Sequence, residues 1–470
     1  MQMNSHRRGF LKTAIAAGLT ILPSGVIRGG NSPNGKLNLA LIGVGGRGRA
    51  NLNGVKAKPG AGLVQTDLTG MRSENIVALC DVDEDALGKA AKEFPAAKVY
   101  TDWRKCLDQP GLDAVVCSTP DHTHAFVSIW AMNRGLSVYC EKPLANSVEE
   151  ARLVREVYLK NRGRLATQMG SQMHATENFR RVVELVRRGM IGTPKEVHVW
   201  CGRRPEGGSY LPEAGSPPAM LHWDLWLGPS PYHAYNPGYV GGCLKWNRFW
   251  DFGSGQIGDM GSHMLDLAYW ALELGFPTSC VAAGSEPSPD TCPQWLTAEW
   301  KHPANAWRPP VSVFWYDGGK KPAFPPNVFY SASGSERIND GIHNVQDPLF
   351  KGLLFAGDQG WLLADYNLRL ILPKDDRSNF TYFSAPKAGE LIPSSPGHHE
   401  EWLRACKEGT PTGCNFDYSG KLIEHNLLAL VAYRTGRKLE WDAANLRATN
   451  CPEAEPFIRR KYREGWSLNG

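Results

Sequence analysis

The chain has 470 residues, 42% of them hydrophobic and 21% charged, with a formal net charge of +5; that length and apolar content suffice for about two domains with a large core. So small a charge, with no basic run interleaved with aromatics, excludes a protein that tracks a nucleic-acid backbone. Eleven cysteines, an odd number with no Cys-x-x-Cys pair, argue against a disulfide scaffold. Cys80, Cys117 and Cys140 read as core thiols at the ends of apolar runs, and a Cys406–Cys414 bridge is the one pairing to check.

Residues Ser5-His6-Arg7-Arg8-Gly9-Phe10-Leu11-Lys12 form a twin-arginine pattern, followed by a mild apolar stretch from Ala14 to Leu22 that is too short to span a bilayer. Residues 1–35 are therefore expected to be an export signal, which places the protein in the periplasm or cell envelope. Beyond Leu37 no run of 18 apolar residues follows, so no membrane span is expected in the mature domain.

Short β-branched runs then alternate with helical periodicity. Leu37–Gly43, Asn75–Asp81, Asp113–Thr119, Leu136–Pro143 and Arg164–Gly170 read as strands, and Glu84–Phe94 and Ser147–Asn161 as linking helices. Ser147 is the expected N-cap, with Glu150 in the capping-box position. This order predicts a doubly wound parallel sheet of the Rossmann kind over residues 36–160. Residues 161–470 change texture: a helix near Phe179–Arg188, long Gly/Pro/Trp-rich loops, strand-like runs at Glu196–Trp200, Val311–Tyr316 and Gly360–Tyr366, and a helical tail from His399 to Arg437. They predict an α+β domain with a large open, mostly antiparallel sheet for substrate binding and oligomerisation.

Gly43-Val44-Gly45-Gly46-Arg47-Gly48 follows the first strand and opens a helix. Glycine serves the tight turn at the first position, close approach of a pyrophosphate at the second and helix-to-strand packing at the third, while free N–H groups of the helix start meet the phosphates. Asp81 ends the second strand, where a carboxylate accepts the adenosine ribose hydroxyls and repels a 2′-phosphate, which favours NAD over NADP. It stands 38 residues beyond Gly43 against a usual gap of about 20, the excess falling in a Gly-rich stretch from Lys56 to Met71. Arg47 would pull toward NADP.

Three further segments complete the pattern: Ser118-Thr119-Pro120-Asp121-His122-Thr123-His124 at a strand end, Glu141-Lys142-Pro143 at the next, and Gly258-Asp259-Met260-Gly261-Ser262-His263-Met264-Leu265-Asp266 later. With the glycine fingerprint they resemble the Gfo/Idh/MocA oxidoreductase family, from about Leu37 to the end of the chain. The resemblance implies that Lys142 faces the nicotinamide and the reacting hydroxyl, that His263 is the general base, and that Asp259 orients the substrate or sets the tautomer of His263. It also implies that Thr119, Pro120, His122, His124 and Glu141 line the cofactor site with Gly43, Gly45, Gly46, Arg47, Gly48 and Asp81. His122 and His124 lack the further ligands of a tetrahedral zinc site, so no metal is expected. His174, Trp223 and Arg248 are the candidate substrate contacts, with Trp246 beside the last; Asp266 reads as a structural acid.

The activity so implied is hydride transfer between NAD and a hydroxyl of a sugar or sugar derivative. Export argues for a tightly bound cofactor, since a soluble nicotinamide pool is not expected outside the cytoplasm. The same family includes NAD-retaining glycosidases that oxidise C3 transiently and eliminate; this chain carries Asp259 to His263 where those have a Thr-His segment. A sensor without chemistry is disfavoured by Lys142, Asp259 and His263 occurring together. The family's second domain also implies a homo-oligomer.

Overall fold

The computed structural model describes residues 35–56, 68–324, 351–374 and 392–469. The twin-arginine segment and most of the Gly-rich stretch after Lys56 lie outside the described residues.

The N-terminal part alternates strands and helices as the sequence predicts. Its elements are β1 (Asn38–Ile42), α1 (Gly46–Asn53), β2 (Asn75–Cys80), α2 (Glu84–Glu93), β3 (Lys98–Tyr100), α3 (Trp103–Leu107), β4 (Ala114–Cys117), α4 (Asp121–Asn133), β5 (Ser137–Cys140), α5 (Val148–Lys160) and β6 (Thr167–Met169). They form a six-stranded parallel sheet in the order β3-β2-β1-β4-β5-β6, a doubly wound fold whose order reverses between β1 and β4. Burial on both faces explains the near-continuous apolar strands. Leu39 and Leu41 join one core with Val116 and Tyr139; Ala40 and Ile42 join another with Val115, Val138 and Cys140. The parallel sheet takes its last strand from beyond residue 160.

Helix starts follow their caps. Asp83 accepts from the backbone N–H of Asp85 and Ala86 at the start of α2, and Ser147 from Glu150 at the start of α5. Glu150 reaches back one residue further than a capping box requires, to the N–H of Asn146 at 2.7 Å.

The second part contributes α6 (Glu177–Arg187), β7 (Pro194–Trp200), α7 (Trp223–Leu227), α8 (Gly255–Asp259), α9 (Gly261–Ala271), β8 (Ser279–Gly284), β9 (Leu296–His302), β10 (Val311–Tyr316), β11 (Gly352–Gly357), β12 (Gly360–Ala364), β13 (Arg369–Pro373), α10 (His398–Glu408), α11 (Phe416–Thr435), β14 (Leu439–Asp442) and β15 (Arg447–Ala448). Its nine-stranded sheet runs β13-β12-β11-β7-β10-β9-β8-β14-β15, and only the β7–β10 pair is parallel. Alternate residues of β9 and β10 are buried, the mark of a sheet with one face packed on helices and one open.

The helical tail is two helices, because Gly409 adopts a left-handed φ of 74° and ends α10. These helices turn back onto the N-terminal sheet. Trp402, Leu403 and Cys406 of α10 fill the core beneath Leu39 and Tyr139, and Arg152 of α5 makes a buried pair of hydrogen bonds to Glu424 of α11. All eleven cysteines are free, so the Cys406–Cys414 bridge does not form: Cys406 packs in the core with Leu39 and Tyr139, and Cys414 in the core on the opposite face, which also holds Ala40 and Ile42. Among the described residues no helix is long and apolar enough to cross a membrane.

Candidate active site

A cavity of about 710 Å3 opens beyond the C-terminal ends of β1 and β4 and continues to the end of α8 and the start of α9. A second cleft of about 320 Å3, near Asn146, Tyr210 and Arg434, contains none of the predicted site residues.

The glycine loop forms one wall. Gly43 has φ of 81°, and a Cβ there would sit 2.5 Å from the Ser118 carbonyl oxygen; a Cβ on Gly48 would sit 1.8 Å from the carbonyl oxygen of Gly43. These two glycines let the turn and α1 close against each other. Gly45 and Gly46 meet nothing closer than 3.5 Å and line the cavity. Unlike α2 and α5, α1 has no side-chain cap and no acid in its first turn, so its N–H groups suit an anionic ligand. The steric pattern and the open helix start together fit the pyrophosphate of a dinucleotide.

Asp81 sits at the next corner. Its Oδ2 accepts from the N–H of Val44 at 2.8 Å and Gly45 at 3.2 Å, and its Oδ1 from Asp83 at 3.0 Å. The carboxylate thus holds the glycine loop as well as lining the cavity. Burial raises its pKa, with those three N–H donors opposing the rise. Arg47 points away from it: its Nε bonds Glu141 Oε1 at 2.9 Å, and Asn51 bonds the same oxygen at 2.9 Å. Burial alone would raise the Glu141 carboxyl; Arg47 and Asn51 hold it down at about 2.

Thr119, Pro120, Glu141 and His124 line the cavity. Both ring nitrogens of His124 face backbone carbonyls, Nδ1 that of Pro143 at 2.6 Å and Nε2 that of Thr119 at 2.8 Å, which ties the two strand ends together. His122 is a correction: it does not line the cavity. Two residues apart on a helix means a rotation of roughly 200°, so its ring lies on the other side of α4, against Trp226 and Phe252, with Nε2 on the Trp226 carbonyl at 2.9 Å. Burial pushes it down to about 4.

At the far end Lys142, Asp259 and His263 meet. The Lys142 ammonium pairs with Asp259 Oδ1, and Arg203 Nη1 lies 3.1 Å from Oδ2. Burial would discharge Lys142, but Asp259 outweighs it and raises the lysine's pKa. Asp259 is lowered in turn: burial opposes ionisation, and Lys142 above all, with Arg203, overcomes it. Asp259 makes no hydrogen bond to His263, so the expectation that it sets the histidine tautomer gives way to a role on Lys142. Met260 separates α8 from α9 and leaves the two side chains unbonded. His263 is buried with Nδ1 unpartnered, and burial, then Lys142, pushes it down to about 3. It is a neutral imidazole facing the cavity.

The three substrate candidates lie elsewhere. His174 stacks on Trp270 at 4.0 Å with Nδ1 3.0 Å from both oxygens of Asp266; Asp266 is fully buried, and its structural reading fits. Trp223 stacks on Trp226 at 4.7 Å and donates to the His233 carbonyl at 2.8 Å, part of a small aromatic core that the loop-rich region 201–254 needs for itself. Arg248 covers the Phe249 ring at 4.8 Å and pairs with Glu206. In their place the cavity is lined by Gln172, Arg203, Trp246, Lys351 and Tyr366, of which only Trp246 carried a signal in sequence; its Nε1 donates to Asp121 at 3.0 Å.

Residues 37–169 match an oxidoreductase family model described as an NAD-binding Rossmann fold, and residues 174–302 match the same family's C-terminal α/β domain. The chain belongs to the Gfo/Idh/MocA oxidoreductase family. Its N-terminal sheet is accordingly an NAD-binding Rossmann domain. Among its relatives, inositol 2-dehydrogenase of Salmonella typhimurium is 30% identical over 164 residues, covering 32% of this chain and 46% of that one. Levoglucosan dehydrogenase of Pseudarthrobacter phenanthrenivorans is 24% identical over 233 residues, 49% of this chain and 50% of that one. The chain thus spans about half the length of the curated relatives it matches. Among solved structures, the WlbA dehydrogenase of Bordetella pertussis, in complex with NADH and UDP-GlcNAcA, shares the fold at a TM-score of 0.57 and 15% identity, covering 87% of this chain and 99% of that one.

Proposed function

We propose that this family member transfers a hydride between a hydroxyl of a sugar or sugar derivative and NAD. The observation that carries the reading is one cavity holding both a glycine loop shaped for a dinucleotide and, at its other end, a charged lysine, its carboxylate and a neutral buried histidine. NAD, when bound, supplies the nicotinamide carbon that takes the hydride. The chain's own groups manage the proton. His263, with Nδ1 free, accepts it from the reacting hydroxyl, and the Lys142 ammonium stabilises the developing alkoxide. Asp259 keeps Lys142 charged despite burial and fixes its position. Asp81 and Asp83 line the cofactor end, and two carboxylates there disfavour a 2′-phosphate, which supports NAD over NADP.

The twin-arginine pattern supports export, and export supports a cofactor kept bound through turnover. The open face of the nine-stranded sheet supports a homo-oligomer. Denaturing extraction of the purified, dialysed protein tests the cofactor reading, with about one NAD(H) per chain expected. Absorbance at 340 nm during incubation with a panel of sugars then tests the reaction. A protein that neither carries nor takes up NAD overturns the proposal.

A further inference from the structure

Three cations, Lys142, Arg203 and Lys351, converge at the catalytic end of the cavity, where Asp259 and Asp121 act on Lys142 and Asp365 on Lys351. Lys142 and Arg203 share the single carboxylate of Asp259. A third cation, Lys351, stands beside them. Its position follows from register: Leu353 pairs with Ala364 across β11 and β12, so two residues further out Lys351 meets Tyr366, and its Nζ lies 4.0 Å from that ring's centroid. Across the other edge Gly352 pairs with Trp200, which brings the end of β7, and with it Arg203, to the same corner. Tyr366 in turn stands edge-on to His263, with ring centroids 6.3 Å apart.

Among the described residues Lys351 has no carboxylate within ion-pair distance. The neighbouring Asp365 accepts through Oδ1 from the backbone N–H of Asn367 and Leu368, at 2.7 and 2.6 Å, and its charge acts on Lys351 from beyond that distance. Burial pushes Lys351 down to about 8, so it keeps its proton at neutral pH, and an anion beside it would relieve the desolvation. Gln172 Oε1, also at this end, is buried without a partner, an acceptor left for a hydroxyl. Among the described residues, an ammonium with no ion pair, a guanidinium paired through Nη1 to Asp259 and a buried amide oxygen with no partner suit a ligand carrying both a carboxylate and hydroxyl groups.

We propose that the substrate is a carboxylated sugar, a uronate or an aldonate, whose carboxylate is held between Arg203 and Lys351 while its reacting hydroxyl faces Lys142 and His263. The inference rests on the sugar oxidoreductase reading and narrows it. Calorimetric titration of the NAD-loaded, full-length protein tests it, using D-glucuronate, D-galacturonate and D-gluconate against D-glucose, D-galactose and D-glucitol as matched neutral partners. At least one acid is expected to bind about tenfold or more tighter than its partner. That preference is expected to shrink in 0.5 M salt and to vanish in Lys351→Gln. Equal binding of acid and neutral partner in every pair overturns this inference and leaves the sugar reading standing. So does a preference undiminished in Lys351→Gln, or tighter binding of D-glucose 6-phosphate than of every carboxylate. Silence of all six sugars while NAD stays bound overturns the sugar reading and this inference together.

Discussion

The two ends of the cavity are built by different rules. At the cofactor end almost every group comes from a strand end and the residues that follow it: Gly43 to Gly48 after β1, Asp81 after β2, Thr119 and Pro120 after β4, Glu141 and Lys142 after β5. Its charges are paired, Arg47 with Glu141 and Asp81 with three backbone N–H groups. At the substrate end the groups come from α8, α9 and the residues flanking β7, β11 and β12, and Lys142 and Arg203 share the carboxylate of Asp259. A cofactor site can be written into one local motif repeated along a parallel sheet. A substrate site assembled across antiparallel strands depends on register.

The largest effect expected from breaking this contrast is at the junction of the two ends. Lys142→Met should lower kcat about a thousandfold, the scale of a lost charge stabiliser and proton partner, while NAD still co-purifies. Steady-state rates combined with extraction of bound NAD(H) separate the two effects, and loss of the nicotinamide itself would place Lys142 at the cofactor end alone.

His122 gives the next largest. Buried neutral, it titrates at about 4 in the native protein against about 6.5 when unfolded. Below pH 6.5 the unfolded state therefore binds the extra proton, and stability falls as pH drops toward 4, by about 1.4 kcal/mol per pH unit from this residue. Relative to wild type, His122→Phe should gain about 2 kcal/mol between pH 6.5 and 5, read from urea midpoints at the two pH values. A constant difference would mean that the ring is not the buried neutral group the structure shows.

Asp81→Asn keeps an acceptor for the loop but removes its charge. The Kd for NAD should rise about tenfold, in line with a lost charge-assisted hydrogen bond, the Kd for NADP should improve, and kcat should change little. Unchanged discrimination in equilibrium titrations would assign Asp81 to loop support only. The smallest effect belongs to Trp223→Phe. With the indole in the aromatic core and not in the cavity, KM for any sugar should stay within about twofold, and stability should fall by about 1 kcal/mol for the lost bond to His233; a large rise in KM would restore Trp223 as a substrate contact.

What the sequence determined by itself is whatever periodicity and adjacency control. The parallel strands, the helix cap at Ser147, the glycine turn and the approach of Lys142 all follow from spacing along one stretch of chain. Side-chain direction at longer range was not legible there. His122 and His124 look equivalent in sequence, yet the rotation of α4 sends one to the cavity wall and the other into an aromatic core. His174, Trp223 and Arg248 carried groups suited to a sugar, but buried rings and an acid partner claimed them first. Conversely nothing local distinguished Arg203, Lys351 or Tyr366, because their meeting depends on which strand pairs with which and in what register. Tertiary structure decided the substrate end because a single-residue slip in an antiparallel sheet turns each side chain to the opposite face.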